Sequence, residues 1–100
     1  MYKDIISYKL AEGVSEERLI EVAGQIIKDW MRDLPGFISW EISTNNDGGY
    51  TDIVCWKSTD DAKNAEKEMC NIPNAADWYK CYLEGSVVSK NTTKIKIFEK

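Results

Sequence analysis

Histidine is absent from this sequence of 100 residues. Without an imidazole, the chain cannot form a Ser-His or Cys-His catalytic pair, and it cannot ligate zinc or haem through histidine. The three cysteines, Cys55, Cys70 and Cys81, are an odd number without CxxC spacing. This pattern argues against a disulfide framework and against a thiolate metal site. We therefore expect small buried thiols and no bound metal.

Long apolar runs are also absent. No stretch approaches the roughly 18–20 consecutive apolar residues of a membrane span, and the N-terminal MYKDIISYKL lacks the apolar block of a signal peptide. Seventeen acidic and thirteen basic residues give a net charge of −4, which disfavours nucleic acid and anionic membranes as partners. The sequence thus predicts a cytoplasmic protein, and its 43% hydrophobic and 30% charged content is typical of one globular domain, residues 1–100.

Two segments, residues 2–10 and 37–44, alternate between apolar and polar side chains with the period of a β-strand, and residues 50–57 form a third predicted strand. Between the first two segments, Ser15 is placed to cap an amphipathic helix that is expected to end at Leu34-Pro35-Gly36. The cluster Asn45-Asn46-Asp47-Gly48-Gly49 predicts a hairpin loop between the second and third strands.

The second half begins with a helix start at Ser58-Thr59-Asp60-Asp61, and Pro73 is expected to stop that helix. Asn74 is placed to cap a short helix that runs to Leu83. Val87-Val88 fits either a linker or a short strand, and residues 94–98 alternate as the closing strand. The order βαββα(α)β predicts an α+β, ferredoxin-like antiparallel sheet with helices on one face and the first and third strands at its centre.

The third predicted strand carries apolar residues on both of its faces, so one apolar set should lie on the sheet face that the helices leave open. We expect that set to form an apolar patch with the neighbouring strand. Its members are Ile6, Tyr8, Leu10, Tyr50, Val54 and Trp56. Stacking against a second copy would bury the patch, which predicts a homodimer with a cavity or packed core between the two sheets. The sequence leaves open which strand face lines the cavity.

Three pieces of the sequence resemble the antibiotic biosynthesis monooxygenase family: LPGF at residues 34–37, YTDIVCWKS at residues 50–58, and DDA at residues 60–62. The resemblance implies a dimeric α+β barrel and a cofactor-independent oxidation of phenol- or quinol-like substrates by oxygen, with Trp56 pointing into the cavity. A related branch degrades haem with a histidine on the second helix and an asparagine on the first strand. Because this chain has no histidine and offers Ile6, Ser7 and Tyr8 on the first strand, haem degradation is not expected.

Trp56 and Asp52 are the candidate catalytic residues. An indole ring can stack on a planar aromatic substrate and orient it through its N–H group. Asp52 shares the parity of Trp56, and enclosure by aromatic rings would raise the pKa of its carboxyl toward a value useful for deprotonating a phenol. The candidate substrate-binding residues are Tyr8, Tyr50, Ile6 and Val54. The alternatives are core or dimer-interface packing for the apolar and aromatic residues and a solvent-exposed strand end for Asp52.

Trp30, Trp40 and Trp78 fall where helix and sheet cores are built, so we expect them to serve packing, and Glu41 is expected in solvent. The predicted function is oxygenation of a small aromatic without a cofactor. The alternative is a non-catalytic dimeric module that binds a small molecule or assembles. RNA binding shares the topology, but the third strand lacks the RNP pattern and the chain is acidic, so it is not expected.

Overall fold

The computed structural model describes residues 1–100. Four strands and three helices follow one another in the order β1-α1-β2-β3-α2-α3-β4. Their bounds are β1 Tyr2–Tyr8, α1 Glu16–Asp29, β2 Phe37–Thr44, β3 Tyr50–Trp56, α2 Thr59–Lys67, α3 Ala75–Tyr79 and β4 Val88–Thr93. Single 3₁₀ turns, Met31–Asp33 and Met69–Asn71, follow α1 and α2.

The four strands form one antiparallel sheet in the order β2-β3-β1-β4. β1 and β3 are therefore central, and the predicted α+β, ferredoxin-like fold is confirmed. Across these two strands the register places Tyr2 opposite Trp56 and Tyr8 opposite Tyr50. In β2 a bulge between Phe37 and Ser39 interrupts the pairing with β3, and Ile38 is exposed there.

The helix starts follow the predicted capping chemistry. Ser15 accepts a hydrogen bond from the Arg18 N–H at 3.1 Å, and Ser58 accepts one from the Asp61 N–H at 3.2 Å. The helix ends differ from prediction, because α1 stops at Asp29 and a separate 3₁₀ turn fills the interval before Leu34.

Residues next to the two prolines account for the irregular connections. Leu34 and Ile72 each precede a proline and have extended backbones, as the steric clash with a proline ring favours. Asn74 has a left-handed backbone with φ 60° and makes no side-chain cap, so the predicted capping role is wrong. The short helix α3 ends at Tyr79 rather than at Leu83.

The helices cover the sheet face that carries the largest aromatic side chains. Tyr8, Val54 and Trp56 are buried in a single core with residues of α1 and α2 such as Leu19 and Ala62. The prediction that this aromatic set forms the open face is wrong. Its tyrosine and tryptophan rings are larger than the side chains of the opposite face, so burying them against the helices within one chain gives the larger hydrophobic stabilisation.

The opposite sheet face, here called the outer face, mixes apolar and polar side chains. Along the central strands, side chains alternate between the two faces, so Ile5 and Ile53, which are directly opposed, point outward. Lys3, Ser7 and Cys55 share this face and are half-buried like the two isoleucines. The outer face is therefore only modestly apolar.

The last strand is not the predicted one. β4 begins at Val88, which decides between the two interpretations of Val87-Val88, and pairs with β1 as far as Thr93 opposite Tyr2. The Lys94 N–H donates to the Met1 carbonyl at 3.0 Å, and residues 95–98 have no neighbouring strand. The closing strand predicted at residues 94–98 is therefore wrong. Residues 88–93 already pair with residues 2–7 of β1, which leaves no part of β1 for residues 94–98 to pair with.

The chain's three thiols differ in exposure and are all free. Cys81 is buried, Cys55 is half-buried and Cys70 is exposed, so the expectation of buried thiols fails for Cys70. The first strand ends at Tyr8, and Leu10 makes only an isolated bridge with Tyr82. None of the helices combines the length and the apolar character that crossing a bilayer requires.

Candidate active site

A cavity of about 350 Å³ lies between the sheet and the helices of a single chain. Its volume is in the range of small-molecule sites in proteins. The buried and half-buried lining consists of Tyr2, Asp4, Ile6, Trp30, Met31, Trp40, Asp52, Val54, Trp56, Ala62, Ala65, Met69 and Trp78. The exposed lining residues are Lys63 and Glu66 of α2 with Ser89 and Asn91 of β4. The mouth of the cavity therefore lies between α2 and β4.

Asp52 is the most deeply buried polar residue of the chain, with 1% of its surface exposed. One carboxyl oxygen, Oδ1, accepts a hydrogen bond from the Tyr8 hydroxyl at 2.8 Å. The other, Oδ2, accepts one from the Trp40 indole N–H at 3.0 Å. No lysine or arginine forms an ion pair with this carboxyl, and the salt bridges of the chain lie elsewhere. Neutral donors alone hold Asp52 in place.

The environment of Asp52 changes its acid-base properties. Burial raises the pKa of the Asp52 carboxyl above its ordinary value, although the hydrogen bonds from Tyr8 and Trp40 partly oppose the shift. Burial and the neighbouring Asp52 carboxyl raise the pKa of the Tyr8 phenol. Tyr8 therefore remains a protonated donor, and Asp52 is the group of this pair whose carboxylate can accept a proton.

Trp56 is the one buried side chain with an unused polar atom. It is 3% exposed, and its indole Nε1 has no hydrogen-bond partner. The ring packs edge-to-face on Phe37 with centroids 5.7 Å apart and lines the cavity. A buried N–H without an acceptor costs about 1–3 kcal/mol relative to a paired one. An acceptor atom on a bound molecule would remove that cost.

Asp4 is a second carboxyl in the cavity, and the sequence interpretation did not single it out. It lies on β1 near the mouth, opposite Asn91 of β4. With the Asn91 amide assigned in the orientation that satisfies both neighbours, its nitrogen donates to Asp4 Oδ1 at 3.0 Å and its oxygen accepts from the Tyr2 hydroxyl at 2.7 Å. The sequence does contain a signal for Asp4. It is an acidic residue in the first strand with the same parity as Ile6 and Tyr8, and so at an inward-facing position.

The pKa of the Asp4 carboxyl is also raised. Burial is the main cause, the Trp56 N–H lowers the pKa in part, and the negative charge of Glu66 raises it further. Asp4 is half-buried where Asp52 is fully buried. The cavity thus has one enclosed carboxyl at its inner end and one partly hydrated carboxyl near its mouth.

The predicted site residues occupy three kinds of position. Ile6, Asp52, Val54 and Trp56 all line the cavity. Tyr8 does not line it but lies behind Asp52, which it holds by a hydrogen bond.

Tyr50 lies outside the cavity, where its hydroxyl donates to Glu16 Oε1 at 3.0 Å and its ring stacks on Tyr8. Trp40, by contrast, lines the cavity and donates to Asp52. The prediction that Trp40 serves packing alone is wrong, because hydrophobic periodicity registers the ring and carries no information on its N–H group.

Solved structures share this fold across nearly the whole chain. SnoaB, a cofactor-independent oxygenase from Streptomyces nogalater, has a TM-score of 0.76 at 14% identity, covering 99% of this chain and 97% of that one. The ActVA-Orf6 monooxygenase of Streptomyces coelicolor, in complex with nanaomycin D, has a TM-score of 0.69 at 18% identity over 99% and 91%. A dimeric ferredoxin-like protein from an uncultured marine organism has a TM-score of 0.66 at 13% identity over 99% and 91%.

Other structures with the fold are described as antibiotic biosynthesis monooxygenases, and one as a hydroxynitrile lyase. No protein-family model matches the sequence, and no curated protein matches it. The resemblance to the monooxygenase family is confirmed at the level of the fold. Because one fold hosts several reactions, the shared fold does not decide which reaction the cavity supports.

Proposed function

We propose that this protein is a cofactor-independent monooxygenase that oxidises a small phenol- or quinol-like aromatic with molecular oxygen. The observation that carries the proposal is the buried Asp52 carboxyl, with its raised pKa, at the end of a cavity walled by tryptophan rings. The fold that it shares with SnoaB and the ActVA-Orf6 monooxygenase supports the same reaction class.

Asp52 acts as the general base. A carboxyl with a raised pKa is better matched to a phenol than an ordinary carboxyl, so more of the proton-transfer barrier is removed near neutral pH. When Asp52 takes the phenol proton, the aromatic becomes an electron-rich phenolate. Tyr8 and Trp40 hold the carboxyl toward the substrate and act as positioning residues.

The phenolate then reduces oxygen without any other electron donor. Its ring carbon para to the hydroxyl forms a bond to one oxygen atom, and the distal oxygen takes a proton to give a hydroperoxide. Loss of the ring hydrogen and cleavage of the O–O bond release water and leave a quinone carbonyl. The balance is one phenol and one O₂ to one quinone and one water, so the substrate supplies all four electrons.

Trp56 orients the substrate in this scheme. Its ring offers a stacking surface for a planar aromatic, and Ile6 and Val54 supply apolar contacts on the sheet side. The closely packed rings exclude water from the inner end, which strengthens the electrostatic effect of Asp52 and protects the hydroperoxide. Asp52 and Trp56 are the proposed catalytic residues, and Tyr50 has no role in this scheme.

We further propose that the protein acts as a homodimer in the cytoplasm. The outer face places Ile5 against Ile53 at the centre of the sheet, and Val88 of β4, which lies opposite Ser7, adds an apolar side chain with 67% of its surface exposed. A protein with this fold is described as dimeric. Three free thiols suit a reducing compartment.

Oxygen consumption with 1,5-dihydroxynaphthalene tests the reaction. This diol fits the proposed balance, since its oxidation at the carbon para to one hydroxyl gives 5-hydroxy-1,4-naphthoquinone and water. With ¹⁸O₂ we expect one labelled atom in the quinone and one in water, at a rate above that of buffer alone. Boiled protein and the Asp52→Asn variant are the controls for oxidation in solution.

Absence of oxygen consumption above the boiled control with this diol and with 1-naphthol would overturn the proposed reaction. If the same compounds then bind without turnover, the result favours the alternative of a non-catalytic module that binds small molecules. The unpaired Trp56 N–H supports that alternative equally, because it calls for a ligand rather than for a reaction.

A further inference from the structure

Two polar groups near the cavity mouth have no part in the scheme above. The Trp56 N–H is a buried donor without an acceptor. Asp4 is an acceptor whose Oδ1 is held by Asn91, and it lies near enough to the Trp56 N–H for that group to lower the pKa of its carboxyl. One of these groups needs an acceptor and the other can take a donor.

The sheet register places these two groups together. Asp4 lies opposite Val54, and Trp56 follows Val54 by two residues on the same face. Asp4 is therefore the diagonal neighbour of Trp56, close enough that the indole N–H lowers the pKa of its carboxyl. Asp52 precedes Val54 by two residues, so Asp4 and Asp52 are diagonal neighbours as well, and their Cα atoms are expected roughly 7–8 Å apart.

We propose that Asp4 and the Trp56 N–H form a second hydroxyl-binding subsite, so that the cavity selects aromatic diols over monohydroxy aromatics. One hydroxyl of the diol lies at Asp52, and the other accepts from Trp56 Nε1 while it donates to Asp4. The proposal rests on the ligand cavity of the proposed function and not on its oxidation chemistry.

A hydroxyl is the group that satisfies both partners at once, since it carries a donor and two acceptor lone pairs. A carbonyl or ether oxygen would accept from Trp56 but would leave Asp4 without a donor. An ammonium group would donate to Asp4 but has no lone pair for Trp56. The hydrogen-bonded chain from Tyr2 through Asn91 to Asp4 fixes the carboxyl in this position.

The charges at the mouth also suit a neutral ligand. Glu66 on α2 adds to the negative charge near Asp4, and Lys63 lies on the same rim. An anionic group at this end would meet two carboxylates, whereas a neutral hydroxyl meets a charged acceptor that strengthens its hydrogen bond.

Anaerobic calorimetric titration near neutral pH tests this selection without turnover. The probes are 1,5-dihydroxynaphthalene, 1-naphthol and 5-methoxy-1-naphthol, whose methoxy group keeps the acceptor but has no proton to donate. We expect the diol to bind about tenfold more tightly than 1-naphthol, as for one hydrogen bond to a charged group. The methoxy compound should lose most of that gain.

The Asp4→Asn variant should reduce the advantage of the diol to threefold or less while leaving the affinity for 1-naphthol unchanged, since only the second hydroxyl meets Asp4. Glu41→Gln is the matched control, because it removes one carboxylate from an exposed position of β2. It should leave both affinities unchanged.

Equal affinities for the diol and 1-naphthol, or equal weakening of both by Asp4→Asn, would overturn the subsite, as would absence of binding by all three probes. Failure of the proposed reaction gives a different result: the protein still binds the diol more tightly than 1-naphthol, but it consumes no oxygen. Oxygen consumption without any diol preference leaves the reaction and removes the subsite.

Discussion

The two ends of the cavity each carry a carboxyl group, but the two carboxyls differ in how fully the protein satisfies their hydrogen bonds. At the inner end, both oxygens of Asp52 are hydrogen-bonded to the protein and the residue is 1% exposed. Near the mouth, Asp4 is half-buried and shares its surroundings with the unpaired Trp56 N–H. The Asp52 carboxyl is preorganised by the fold, while the Asp4 carboxyl near the mouth has hydrogen-bonding capacity left for a ligand.

This difference separates two tasks that a single carboxyl performs poorly together. A base must hold its position and its raised pKa whether or not substrate is bound, which requires fixed donors and exclusion of water. A recognition group must exchange water for a ligand, which requires access. Under the proposed function, the inner end serves the proton transfer and the mouth serves the selection of the substrate.

The largest expected effect is the loss of turnover in Asp52→Asn. An amide cannot take the phenol proton, so kcat for 1,5-dihydroxynaphthalene should fall about 100-fold or more. In Asp4→Asn the change should appear mainly in KM, because in the proposed subsite Asp4 binds the second hydroxyl and takes no proton. Steady-state oxygen-electrode kinetics on both variants give the comparison, and an equal fall in kcat for the two would contradict the division of tasks.

Tyr8→Phe tests whether the inner carboxyl depends on its donors. It leaves Asp52 Oδ1 buried without a partner, which should cost about 1–3 kcal/mol of unfolding free energy. Loss of that hydrogen bond also raises the pKa of Asp52 further, so the acid limb of the kcat profile should move to higher pH.

Tyr50→Phe is the matched control for that variant. It removes an exposed hydroxyl whose partner is Glu16, and the effect should stay within about 0.5 kcal/mol. Urea unfolding and pH profiles of both variants supply the measurement. A pH profile that is unchanged in Tyr8→Phe would show that Tyr8 does not tune Asp52.

Trp40→Phe and Trp56→Phe form a second matched pair. Both remove the same indole volume, but only Trp40 donates to a protein acceptor. Trp40→Phe should therefore be about 1 kcal/mol more destabilising in the absence of ligand, the ordinary net worth of one hydrogen bond. Equal unfolding free energies of the two variants in urea would contradict the assignment of one N–H group as hydrogen-bonded and the other as unpaired.

The smallest effect is on the pH dependence of stability. Because burial raises the pKa of Asp52 in the folded state, the folded chain retains a proton that the unfolded chain has lost, and stability falls as pH rises from about 4 through the folded-state pKa. Asp52→Asn should flatten this fall. Asp4→Asn should flatten it less, since Asp4 is less buried, and urea unfolding at several pH values compares the two.

Local patterns in the sequence predicted most of the fold and part of the site. The helix caps at Ser15 and Ser58 follow from side chains three residues from the N–H groups that they satisfy. Strand alternation placed Asp52 and Trp56 on one face, and the cavity contains both. The closing strand could not be located in this way, because Lys94-Ile95-Lys96-Ile97 alternates better than β4 and only the register with β1 decides between them.

The sequence by itself determined the element order, the parity of the first three strands and the absence of imidazole chemistry, since these depend on residue type and on spacing along the chain. The tertiary structure alone decided which face of the sheet the helices cover. It also decided that Trp40 and Tyr8 donate to Asp52, and that Asp4 lies beside Trp56. These relations join residues up to fifty-two positions apart in the sequence and depend on strand register and on the packing of α2, which local periodicity does not encode.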